Sequence, residues 1–168
     1  MLQRFYPDHA VDSAYVIPYE ELYEKGVRGI IYDIDNTLVP HGKPADKRCV
    51  DLMKRLKEIG FDITLLSNNK RPRVESMANE LEVPFIEKAN KPNGRNYIKA
   101  MMIMKTSIQS TIFVGDQIFT DIYGAKRVGI PSYLVKPIHK KEEFQIVLKR
   151  YLEIVVLYFY RRSIRKKR

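Results

Sequence analysis

Residues 27–37 read VRGIIYDIDNT. The run Val27 to Tyr32 is apolar except for Arg28 and follows the turn signal Gly26. It therefore reads as a buried strand over 27–33. Such a strand seldom ends in two carboxylates, yet Asp33 and Asp35 stand either side of Ile34. Working outward, other apolar runs also end in polar residues. FDITLLSNN (61–69) ends in Ser67, Asn68 and Asn69, and STIFVGD (110–116) ends in Asp116. VPFIE (83–87) and IPSYLV (130–135) complete five predicted strands.

Helical spacing fills the gaps. Val50, Met53, Leu56 and Ile59 mark a helix over 46–59 that Gly60 stops. Met77 and Leu81 mark a second over 71–82. Pro92 suits the first turn of a third, running to about Lys105. A fourth is expected near 119–128, capped by Gly129, and a last one from about Lys140. Alternating strands and helices predict an α/β fold with a parallel sheet and right-handed crossovers. Ligands should then bind at the carboxyl ends of the strands. The 168 residues read as one domain, with a core over about 26–136 and a C-terminal amphipathic helix and basic tail over about 140–168. Residues 1–25 are less regular, and their apolar side chains are expected to cover the sheet.

Apolar residues make up 45% and charged residues 30%, which suits a folded soluble chain. Cys49 is the single cysteine, and His9, His41 and His139 show no zinc-ligand spacing. The amino terminus has no apolar stretch of the secretory type, so a cytoplasmic compartment is expected. The net charge is +10, but the last eight residues, RRSIRKKR, carry six basic groups; without them 24 basic groups face 20 acidic ones. The basicity is largely a tail, which can meet anionic lipid or nucleic acid or simply aid solubility.

The strand ends gather Asp33, Asp35, Thr37, Ser67, Asn68, Lys91, Asp116 and Asp121 at one edge. Four carboxylates repel one another unless a cation sits among them, and hard oxygen ligands select Mg²⁺. A metal beside carboxylates suggests a phosphate substrate. Asp33 is then the candidate nucleophile, forming an aspartyl-phosphate, with Asp35 as general acid and base. Ser67, Asn68 and Thr37 are candidate phosphate contacts, Lys91 supplies fixed positive charge, and Asp116 and Asp121 hold the metal or its waters. Plainer readings stand beside these: Thr37 as a local backbone hydrogen-bonder, Asn68 and Asn69 as turn residues, Asp121 as a helix start.

DIDNT, LLSNN, Lys91 in NKPNG, and GDQIFTD resemble, in order, the four motifs of the haloacid dehalogenase (HAD) superfamily. The resemblance implies a three-layer Rossmann-like fold with a five-stranded sheet in the order 3-2-1-4-5. It also implies Asp33 as nucleophile, Asp35 as acid/base, and Mg²⁺ on Asp33, the Asp35 backbone carbonyl and Asp116. FYPDHAVDSAYVI (5–17), DIDNTLVP (33–40) and GDQIFTDIYGAKRVGI (115–130) further resemble the YqeG type of HAD phosphatase. That type is related to the phosphatidylglycerophosphate phosphatases of mitochondria and chloroplasts, so a membrane phospholipid is the implied substrate. Alternatives are a soluble sugar or nucleotide phosphate, a receiver-like phosphoprotein, and an RNA- or ribosome-associated scaffold.

Only 29 residues separate Thr37 from Ser67, and 23 separate Ser67 from Lys91. Neither gap holds an inserted cap, so the crevice is expected to be open unless a second subunit covers it. The C-terminal segment places Phe144, Val147, Leu148, Tyr151, Ile154, Val155 and Tyr158 on one helical face. Its apolar run is shorter than the roughly 20 residues of a membrane span. With the basic end it fits an interfacial helix on an anionic leaflet, peripheral to the inner face of the membrane. The competing reading is a helix packed on the core or against a second copy in a homo-oligomer. No RRM, KH or helix-turn-helix pattern accompanies the tail, which weighs against nucleic acid.

Overall fold

A computed structural model describes residues 2–139 and 144–165, with side chains of the last helix described from Leu148 onward. In chain order the elements are β1 (His9–Val11), α1 (Tyr19–Glu24), β2 (Gly29–Tyr32), α2 (Lys47–Ile59), β3 (Asp62–Leu66), α3 (Arg71–Leu81), β4 (Phe85–Ile86), α4 (Arg95–Met104), β5 (Thr111–Gly115), α5 (Tyr123–Val128), β6 (Ser132–Val135) and α6 (Phe144–Arg165). The strands form one sheet in the order β1-β6-β5-β2-β3-β4, and every pairing is parallel. The last five of these positions hold the five expected strands in the expected order.

The sheet has six strands, not five. The extra one, β1, comes from the irregular first 25 residues and adds an edge beside β6. At three residues, of which His9 and Ala10 are exposed and Val11 half-buried, it is too short for a periodic signal. Anchors outside the strand hold it: Asp8 accepts hydrogen bonds from the Ser132 amide (2.9 Å) and hydroxyl (2.8 Å) and pairs with Lys126 at 2.8 Å.

Alternation along the strands builds the layers. Ile30 and Tyr32 of β2, Ile63 and Leu65 of β3, and Ile112 and Val114 of β5 join one apolar cluster with α2 and α3. Ile31, Leu66 and Phe113 point the other way, to Tyr97, Ala100, Met101 and Met104 of α4. Helix α2 starts at Asp46, whose carboxylate accepts the Cys49 N–H at 2.8 Å. It stops at Gly60, whose φ of 112° a side chain would strain. The gap after Thr37 contains α2 and β3, and the gap before Lys91 contains α3 and β4, so neither holds a cap domain.

The fourth expected helix begins as a π-type turn over Ile118–Ile122 and becomes α-helical only at Tyr123. Helix α6 differs more. Its start is described from Phe144, and the expected start at Lys140 lies outside the described residues. The face chosen by apolar spacing is turned outward: Leu148, Tyr151, Ile154, Val155 and Tyr158 are all exposed. The packed face is Glu153, Val156 and Tyr160, with half-buried Arg150 and Leu157. The apolar face is therefore not the one packed on the core; the inner face carries Arg150 and Glu153, two charged residues with buried polar partners.

A buried hydroxyl chain ties the amino-terminal segment to the central strand. Tyr32 donates to the Tyr19 oxygen at 2.5 Å, and Tyr19 donates to the Ala14 carbonyl at 2.6 Å. Tyr19→Phe leaves the Tyr32 hydroxyl and the Ala14 carbonyl without partners, so it should cost about 1–3 kcal/mol in urea denaturation. A loss under about 0.5 kcal/mol would show that the chain carries no weight.

Candidate active site

Parallel pairing brings the polar strand ends together. The Asp33 amide continues the β2–β5 ladder by bonding the Val114 carbonyl at 3.0 Å, which places Asp33 beside the end of β5. The chain then turns sharply: the Ile34 carbonyl accepts from Thr37, Leu38 and Val39, while Asn36 sits at φ 62°. Asparagine tolerates this left-handed conformation better than most residues. The turn points Thr37 back into the site, where its hydroxyl lies 3.3 Å from both Asp33 Oδ2 and Asp116 Oδ1. Thr37 thus bridges two carboxylates through its side chain.

Lys91 reaches the same point from the β4–α4 connection. Its ammonium pairs with Asp33 Oδ1 at 2.6 Å and Asp121 Oδ1 at 2.7 Å, and all three side chains are nearly inaccessible. Asn68 holds the Lys91 backbone, accepting its N–H at 2.7 Å. The Asn68 amide is therefore engaged with the Lys91 backbone. Ser67 is buried and accepts the Asn69 N–H at 3.2 Å. It does not cap α3, whose N-cap is Lys70.

Asp121 lies on the π-type turn, where its Oδ2 accepts the Gln117 N–H at 3.1 Å. Local distortions of this kind recur at functional sites. Gly115 makes room for it: a Cβ there would lie 2.5 Å from Asp121 Oδ2. Asp35 stands apart from the other three carboxylates. Its Oδ1 accepts from the Gly42 N–H (2.8 Å) and Arg73 (2.9 Å), and its Oδ2 accepts from Asn69.

Among the described residues, Asp33, Asp116 and Asp121 are buried and offer oxygens within 4.8 Å of one another. With Glu153 nearby, four carboxylates face two cations, Lys91 and Arg150. The cluster is two charges short of neutral, a deficit that one divalent cation matches, and its donors are the hard oxygens that Mg²⁺ takes. The ionisation equilibria reflect the same imbalance. Burial pushes Asp33 up to about 6, with Lys91 pulling down and Asp121 and Asp35 pushing further up. Burial, with Asp33 and Asp121, raises Asp116 well above the ordinary carboxylate value despite Arg150. Burial pulls Lys91 down, but Asp121 and Asp33 outweigh it and hold the ammonium charged.

All the residues singled out in the sequence lie at this edge of the sheet. Spacing did not reveal Asn69 and Arg73 as partners of Asp35, or Arg150 and Glu153 as partners of the Asp116–Ile118 segment. Asn69 is the last residue of the quoted LLSNN motif, but its spacing did not point to Asp35. Arg73, Arg150 and Glu153 lie in helices with nothing to separate them from surface charges.

Carboxyls raised in the folded state stabilise it below their unfolded values and lose that contribution as pH rises through the folded values. For Asp33 the window runs from about 4 to about 6. A divalent cation would offset both the burial of the ionised carboxylate and the repulsion from Asp121 that together open this window. Saturating Mg²⁺ should therefore raise the melting temperature by a few degrees at about pH 7.5 and by less at about pH 5. Equal shifts at both pH values would contradict the charge deficit.

Comparison with known proteins agrees with this geometry. Residues 45–129 match the model of the haloacid dehalogenase-like hydrolases. The chain is 36% identical over 159 residues to the "Probable phosphatase YqeG" of Bacillus subtilis, covering 94% of this chain and 92% of that one. It is 30% identical over 169 residues to the chloroplastic/mitochondrial phosphatidylglycerophosphate phosphatase 1 of Arabidopsis thaliana, covering 90% of this chain and 47% of that one. Among solved structures, the 3-deoxy-D-manno-octulosonate 8-phosphate phosphatase of Moraxella catarrhalis, in complex with magnesium ion, phosphate ion and KDO, has a TM-score of 0.53. It is 14% identical, covering 72% of this chain and 76% of that one, which is a likeness of fold. The matched family model and a relative aligned over nearly the whole chain thus identify the protein as a phosphatase of the haloacid dehalogenase-like hydrolase family.

Proposed function

We propose that the protein is a Mg²⁺-dependent phosphomonoesterase working through an aspartyl-phosphate on Asp33, with phosphatidylglycerophosphate as its substrate. The observation that carries the chemistry is the buried Asp33 carboxylate, 2.6 Å from Lys91 and grouped with Asp116 and Asp121. Asp33, Asp116 and the Asp35 backbone carbonyl are the proposed metal ligands, with Asp121 as a further ligand or a partner of metal-bound water. When bound, Mg²⁺ offsets the repulsion between an anionic nucleophile and an anionic phosphoryl group.

One Asp33 oxygen attacks phosphorus in line, forming an O–P bond as the ester P–O bond breaks. Asp35 gives the departing alkoxide its proton. It then takes a proton from the water that attacks the aspartyl-phosphate, which releases inorganic phosphate and restores Asp33. Both Asp35 oxygens accept hydrogen bonds, from the Gly42 N–H, Asn69 and Arg73, which fix the place of this carboxylate beside the turn. Lys91 balances charge on Asp33 and on the transferring group. Ser67 donates to a phosphoryl oxygen. Thr37 orients Asp33 and Asp116, and Asn68 orients Lys91.

Three observations support a lipid-borne phosphate. No inserted domain separates the site from a large substrate. The outer face of α6 exposes Leu148, Tyr151, Leu152, Val155 and Phe159, and exposed apolar groups collected on one face mark interaction surfaces. Arg161, Arg162 and Arg165 follow on the same helix and match an anionic leaflet. No described helix is long and apolar enough to cross a membrane, which suits peripheral contact.

Asp33→Asn should lower kcat on any phosphomonoester by about four orders of magnitude or more, and should abolish covalent labelling by substrate phosphate. Turnover at the wild-type rate would refute the mechanism. The substrate is tested separately by assaying phosphatidylglycerophosphate in anionic vesicles against sugar and nucleotide phosphates. Deleting residues 161–168 should slow hydrolysis on vesicles and leave a soluble ester unaffected. No preference for the lipid would end that part of the proposal.

A further inference from the structure

The inner face of α6 reaches the metal-binding edge. Arg150 Nη1 donates to the Asp116 backbone carbonyl at 2.5 Å and to Glu153 Oε2 at 2.9 Å. Its Nη2 pairs with Asp116 Oδ2. Glu153 Oε1 accepts the Ile118 N–H at 2.6 Å. One turn of α6 thus grips both ends of the 116–118 segment, from which the turn carrying Asp121 begins. The Asp116 side chain is inaccessible, Glu153 is 6% exposed and Arg150 19%.

The two Asp116 oxygens are thereby set apart. Oδ2 is taken by the guanidinium, and Oδ1 lies on the side of Thr37, whose hydroxyl also approaches Asp33. A carboxylate that can rotate presents either oxygen, and one fixed at Oδ2 presents Oδ1 alone. Outer partners of this kind fix a ligand's orientation before the metal arrives. The planar guanidinium fork holds the side-chain oxygen and the backbone carbonyl through two nitrogens in a fixed geometry, which the freely rotating ammonium of a lysine does not impose.

We infer that Arg150, braced by Glu153, is a positioning residue that turns Asp116 Oδ1 toward a divalent cation, making α6 part of the metal centre. The inference rests on the metal reading proposed above. It goes beyond that reading by assigning a role to a helix outside the matched 45–129 segment.

The test uses full-length protein and Mn²⁺, titrated by the loss of the free-ion electron paramagnetic resonance signal. Hydrolysis of para-nitrophenyl phosphate is followed in parallel against Mg²⁺ concentration. Arg150→Ala should weaken Mn²⁺ binding by roughly 10- to 100-fold and raise the half-activating Mg²⁺ concentration to match. The kcat at saturating Mg²⁺ should stay within about threefold of wild type, since Arg150 touches no reacting atom. Arg150→Lys should recover part of the affinity, and Glu153→Gln should lose a smaller part.

Wild-type Mn²⁺ affinity in Arg150→Ala would reduce the contact to packing and overturn the inference. Tighter binding would overturn it too, by showing that the guanidinium competes with the metal. If Arg150→Ala lacks a cooperative melt, Arg150→Lys and Glu153→Gln decide, and wild-type affinity in both overturns it. A wild-type protein that binds no Mn²⁺ defeats the metal reading and this inference with it. One that binds Mn²⁺ but releases no phosphate defeats only the phosphatase chemistry.

Discussion

The Lys91 ammonium, buried between Asp33 and Asp121 at 2.6 and 2.7 Å, is the interaction on which the site depends. A lone buried carboxylate sheds its charge, and a lone buried ammonium does the same. Here each keeps the other charged, yet three carboxylates around one ammonium remain out of balance. Arg150 offsets part of that excess at Asp116, and Glu153 gives part of it back. The remaining negative charge is what the proposed divalent cation would offset, and that cation would in turn let an anionic nucleophile meet an anionic substrate.

The sheet makes this gathering of charge geometrically possible. Parallel strands point all their carboxyl ends one way, so β2, β3 and β5 deliver Asp33, Ser67 and Asp116 to a single edge. Apolar residues on both faces of β2, β3 and β5 fix the register that does so. Gly115 gives up a side chain so that Asp121 can lie against the end of β5. Tyr19 and Tyr32 anchor the amino-terminal segment behind the strand that leads into Asp33.

Much of this was legible in the sequence, for identifiable reasons. The strands were readable because both-face burial leaves continuous apolar runs such as GIIY and TIFV. The acidic cluster was readable because each carboxylate directly follows a strand or starts the next turn. β1 escaped because its anchors are Asp8 and Ser132, 124 positions apart. The orientation of α6 escaped because its apolar residues mark the outer face, while its buried face carries Arg150 and Glu153. Their partners, Asp116 and the Ile118 amide, are more than 30 positions earlier, where periodicity carries no information. Asn68 and Thr37 were recognised as residues of interest, but their partners became visible only in three dimensions.

The central claim is that the Asp33 carboxylate forms the covalent bond to phosphorus. Crystals soaked with Mg²⁺ and a beryllium fluoride mimic of the phosphoryl group test it most directly. Beryllium bonded to an Asp33 oxygen, with its fluorides facing Lys91 and Ser67, is the expected result. Density for that group on any other side chain would contradict it.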